Sequence, residues 1–131
     1  MEVELKITPK TFLRLSSFER QPDGSGGSKL EISSGKFQYA TEQFYFDNLA
    51  KFELDMIRLN ESLSGEATLQ FHYESEYIKF EAKPLGRILL TGEFLEYGMY
   101  EQSIKVCFEF DQSYLANLIE SLSIVVSETY S

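Results

Sequence analysis

The chain has 131 residues, with 21 acids against 12 bases for a formal charge of −9, and it contains one cysteine and no tryptophan. That length suits one domain, 1–131, with a core large enough to need no disulfide or metal, and a lone thiol forbids an internal disulfide framework and fits a reducing compartment. The acid excess weighs against nucleic-acid and anionic-membrane ligands, which require Lys and Arg against phosphate, and no run approaches the ~20 apolar residues of a membrane span.

The opening MEVELKITPK alternates where a signal peptide would be continuously apolar. A cytoplasmic protein is therefore expected. Val3, Leu5 and Ile7 alternate with Glu2, Glu4 and Lys6, and TFLRLSSFE (11–19) continues as a second strand. KLEIS (29–33) is its expected hairpin partner. Between them QPDGSGGS (21–28) reads as a flexible hairpin loop, because Pro and Gly supply turn dihedrals at little steric cost. It matches no phosphate-loop motif and precedes no helix.

GKFQYATEQFYF (35–46) is a long aromatic strand, after which the period changes. Leu49, Phe52, Met56, Leu59 and Leu63 step by three and four, the apolar stripe of a helix facing a core. Asp47 or Asn48 can cap its start, and Gly65 can end it in a left-handed conformation. ATLQFHY (67–73), EYIKFEAK (76–83), RILLTGEF (87–94) and SIKVCFEF (103–110) return to strand alternation. Leu115, Leu118, Ile119 and Leu122 mark a C-terminal helix, with Asp111 placed to accept hydrogen bonds from its first free amides. The fold class that follows is α+β, an antiparallel sheet of seven to eight strands with one helix in mid-chain and one at the C-terminus.

Catalytic signals are weak. A Ser-His-Asp or Cys-His arrangement would have to use His72, which falls on the polar side of its strand, and no nucleophile motif surrounds any serine. Cys107 lies mid-strand, and neither zinc nor calcium ligand spacing occurs. No catalytic residue, metal or cofactor is expected. One loop stands out. EFLEYGMYEQ (93–102) sets Tyr97, Met99 and Tyr100 around Gly98, flanked by Glu93, Glu96 and Glu101. At a hairpin tip these six side chains would form a partner-binding surface, with aromatic and Met anchors and acids that steer a basic partner. The other reading has the tyrosines folded back over the sheet edge. Residues 66–131 hold eleven acids and four bases, so seven of the nine net negative charges lie in this second half.

LNESLSGEATL (59–69), GRILLTGEF (86–94), VCFEFDQSYLANLIESL (106–122) and SGKFQY (34–39) together carry a family likeness. In these stretches the chain resembles bacterial immunity proteins of the WapI type, and the resemblance covers most of residues 12–122. The resemblance implies a small cytoplasmic protein that binds and blocks the toxic C-terminal domain of a polymorphic toxin used in contact-dependent competition. It further implies a nuclease as the target, including tRNA-cutting ones, and it supplies no catalytic residues. The expected protein is then a non-enzymatic inhibitor, a monomer or weak dimer, that covers a basic toxin domain. The competing expectations are a small-ligand carrier or sensor with an aromatic pocket, and a hydrolase working through unassigned carboxylates.

Overall fold

Alternation and tight turns dictate most of the architecture. In a computed structural model the described residues are 1–23, 25–70 and 75–130. Four strands come first: β1 (Glu2–Thr8), β2 (Thr11–Arg20), β3 (Gly26–Ser34) and β4 (Phe37–Phe46). Helix α1 (Leu49–Ser62) follows, then β5 (Glu66–Gln70), β6 (Tyr77–Lys83), β7 (Arg87–Glu96), β8 (Gln102–Asp111) and helix α2 (Leu115–Thr129). The α+β class holds. The eight strands form two four-stranded antiparallel sheets, ordered β1-β2-β3-β4 and β5-β6-β7-β8. Strands joined by short turns pair with their neighbours, whereas β4 and β5 are separated by α1, and at their ends the Asp47 amide donates to the Gln70 carbonyl.

Each sheet buries every second side chain. Val3, Leu5, Leu13, Leu15, Leu30, Ile32, Phe44 and Phe46 line the inner face of the first. Ile78, Phe80, Ile88, Leu90, Phe94, Val106, Phe108 and Phe110 do so in the second, and both sets belong to one continuous core. The helices join the halves. α1 packs on β5 and β6 of the second sheet, and α2 packs on β1 and β2 of the first. Phe52 of α1 meets Phe80 of β6 with ring centroids 6.0 Å apart. Each such fully buried side chain contributes roughly 1.5–3 kcal/mol relative to exposure.

The helix ends use the expected device with one shift. Asn48 caps α1, its Oδ1 accepting the Lys51 amide at 3.0 Å. The left-handed residue that closes α1 is Leu63, at φ 53°, which leaves its side chain exposed. Gly65 follows at φ 82° and its carbonyl takes the Ala82 amide, so it turns the chain into β5 instead of capping the helix. Asp111 accepts the Ser113 amide at 2.9 Å in the short 3-10 turn that leads into α2.

The glycine-rich connection is shorter than the sequence suggests. Gly26, Gly27 and Ser28 are buried in β3, all three paired with β4 and the two glycines also with β2. Gly26 serves close packing: a Cβ there would lie 2.6 Å from the rings of Phe46 and Tyr130. Tyr130 reaches this spot from the end of α2 and donates its hydroxyl to the Glu19 carbonyl. Gly92 does the same between the sheets, where a Cβ would lie 2.8 Å from Phe94 and 3.2 Å from Ile32.

Candidate partner-binding surface

The last rung of the β7–β8 ladder pairs Glu96 with Gln102, leaving Tyr97 to Glu101 as the connection. A Cβ added at Gly98 would meet nothing within 4 Å, so the tip stands clear of the body. Tyr97 is 63% exposed, Met99 92% and Tyr100 77%. Glu96 and Glu101 are exposed beside them, and Glu93 lies half-buried on β7 opposite Lys105 of β8. All six residues singled out in the sequence therefore gather at one end of the second sheet.

Their acids join no ion pair among the described residues, although Lys105 stands opposite Glu93 in the ladder. On the first sheet Arg14 bonds Glu4 at 2.7 Å and pairs with Glu2 and Glu31, while Lys29 pairs with Glu42. On the second sheet Lys83 meets Glu81 and Arg87 meets Glu109. None of the ion pairs among the described residues engages Glu93, Glu96 or Glu101.

Two residues that sequence reasoning missed complete this end. Tyr39 of β4 stacks on Phe94 of β7 with ring centroids 4.6 Å apart and planes 9° from parallel. Glu76, just before β6, accepts the Leu95 amide at 3.1 Å through Oε2. Burial pushes the Tyr39 phenol above its ordinary range, and the charges of Glu76 and Glu96 push it the same way, partly opposed by a hydrogen bond with Thr41. The ring stays neutral and both carboxylates act on it. Tyr39, Phe94, Leu95, Glu96, Gln102 and Ile104 line an open cleft of about 140 Å³ at the base of the hairpin. No local motif could have announced it, since its walls come from strands far apart in the chain.

Other chemistries find less support. Among the described residues no three His, Cys, Asp or Glu side chains are placed to hold a metal ion. His72 lies outside the described residues, as do Phe71 and Tyr73, which were expected to extend the fifth strand. Cys107 is exposed on β8, its carbonyl accepting the Ser34 hydroxyl at 3.0 Å. The core is filled: the space among Val3, Leu15, Phe52, Leu69, Phe80 and Leu118 amounts to about 10 Å³, less than or about what one water requires. Around Phe52 and Phe80 the side chains thus pack together with no room for a ligand.

The model of the Immunity protein WapI-like family matches residues 4–129. The chain belongs to this family. No curated protein and no solved structure matches it. The WapI-like match runs through both sheets, both helices and the β7–β8 hairpin. The stretches that carried the resemblance lie at the β3–β4 turn, at the α1–β5 corner, along β7 around Gly92, and across the β8–α2 junction, so they are marks of architecture. Membership in an immunity-protein family points to neutralisation of a toxin by binding and, in general, to no catalysis. No described helix is long and apolar enough to cross a membrane.

Proposed function

We propose that this WapI-like protein is a non-enzymatic cytoplasmic inhibitor that docks its acidic β7–β8 tip on a basic toxin domain. The supporting observation is the juxtaposition of exposed Tyr97, Met99 and Tyr100 with Glu96 and Glu101, which have no ion-pair partner among the described residues. Apolar and aromatic anchors supply affinity once desolvated, while surrounding charge chiefly accelerates encounter and selects the partner. A nuclease domain fits this surface, because the cationic groups that hold a phosphate backbone are the groups an acidic tip can cover. Blocking of that kind needs no bond-making by the inhibitor.

The test is co-expression with the variable C-terminal domain of a large secreted protein encoded beside the gene. Cells making both should survive, and cells making the toxin domain alone should not. In vitro, Met99→Ala with Tyr100→Ala should weaken the complex at least about thirtyfold, the effect of losing hot-spot anchors. Glu96→Lys with Glu101→Lys should slow association, more strongly at low salt. An association rate indifferent to that double reversal at low ionic strength removes the tip from the interface.

A further inference from the structure

We infer that the cleft at the base of the β7–β8 hairpin, walled by the Tyr39–Phe94 pair and Glu96, is a socket for an arginine side chain of the partner. The inference rests on the reading that this end of the molecule faces a basic protein, and it names the group that would enter. The cleft has both parts that a guanidinium asks for. Arginine is weakly hydrated and planar, stacks on aromatic rings and pairs with carboxylates, whereas the compact lysine ammonium keeps more of its water. Tyr39 supplies a half-buried ring at the wall, held by its stack on Phe94. Glu96 brings a carboxylate to the rim, and Gln102 adds a polar side chain across from it.

Glu76 makes the site more than a chance crevice. Its Oε2 accepts the Leu95 amide, so a second carboxylate is fixed next to the Leu95 backbone, beside the cleft and outside its lining. The Tyr39 phenol responds to both Glu76 and Glu96, which places the two charges around the same ring. Among the described residues no Lys or Arg lines the cleft to compete. At about 140 Å³ it holds far more than one water. Anions are repelled by Glu96 and by Glu76 beside it, and a single lining carboxylate among aromatic rings is a poor donor set for a metal, which leaves an organic cation presented by a protein surface.

The experiment is an NMR titration of the intact protein with N-acetyl-arginine amide, using N-acetyl-norleucine amide as an apolar control of similar reach. Arginine should produce saturable shifts at the Ile104 methyls and the Tyr39 and Phe94 rings, with norleucine producing little. Glu96→Gln, at an exposed position, should weaken arginine binding about two- to fivefold, the usual worth of one solvent-exposed charge pair. Tyr39→Leu should remove saturation, and Tyr39→Phe should keep it, which separates loss of the ring from loss of the fold. Equal response to norleucine would reduce the cleft to an apolar crevice, and shifts scattered over all surface acids would mean unspecific ion pairing; either overturns the socket. The titration uses no toxin domain, so its failure leaves the rescue assay standing, and failure of rescue leaves the titration standing.

Discussion

Residues 2–62 and 66–129 repeat one order of elements, four antiparallel strands and a helix, yet the two halves treat charge differently. In the first, Arg14 gathers Glu2, Glu4 and Glu31 across three neighbouring strands, and Lys51 and Arg58 share Asp55 along α1. In the second, the pairs that form lie on the body of the sheet, and Glu93, Glu96 and Glu101 join none of the ion pairs among the described residues. Exposed pairs contribute little stability, so the contrast bears on recognition. A surface whose acids are already matched presents a weaker field to a visitor than one whose acids are not.

The halves are not independent, for each helix packs on the opposite sheet. The strongest way to break the comparison is to separate them. A fragment of residues 1–64 loses Leu118 and Leu122 of α2 from above Val3, Leu13 and Leu15, and deprives Phe52 of Phe80. It should show no cooperative thermal transition by circular dichroism, while the whole chain unfolds in one step. A sigmoidal transition of the fragment would mean that the first half is a domain in its own right and that the exchanged helices are incidental.

A smaller test probes the seam between the sheets. Gly92→Val would press two methyls toward Phe94 and Ile32, where even a Cβ would lie 2.8 Å and 3.2 Å from them. Overpacking of that kind costs about 1–3 kcal/mol. The urea midpoint should fall with the slope unchanged. If stability is unaffected, the sheets must shift apart more readily than their packing implies.

Much of this design could be read along the chain. Period-two alternation marked every strand and the three-four spacing marked both helices, because burial on one face imposes those periods. Boundaries failed where glycine had a packing role: Gly26 and Gly27 look like turn residues in QPDGSGGS, yet both lie in β3, and at Gly26 no side chain fits against Tyr130 and Phe46. The division into two sheets was invisible for a related reason, since alternation reports which face is buried and says nothing of which strands share a ladder. The hairpin tip was legible because its six residues are neighbours in sequence. The cleft below it was not, because Tyr39 and Glu76 reach Phe94 and Leu95 only through the tertiary fold.

The gentlest prediction concerns the helix caps, where the halves use the same device in two chemical forms. Neutral Asn48 caps α1, and ionised Asp111 caps the turn into α2. The side-chain hydrogen bond from Ser113, then its backbone amide, and the charge of Arg87 hold the Asp111 carboxyl below its ordinary value of 3.8. A depressed carboxylate pKa contributes stability above the unfolded-state value and loses it as pH falls through the folded value. Asp111→Asn converts the second cap to the type found in the first: an acceptor remains and the charge goes. At neutral pH the variant should melt slightly below the native protein, and the gap should close as pH falls well below 3.8. Asn48→Asp should act in the opposite sense, raising the melting temperature at neutral pH through the favourable helix dipole and not at acid pH. Scans of both variants at the two pH values decide the matter: a gap for Asp111→Asn that persists in acid would show that the oxygen's geometry, and not its charge, sets the value of the cap.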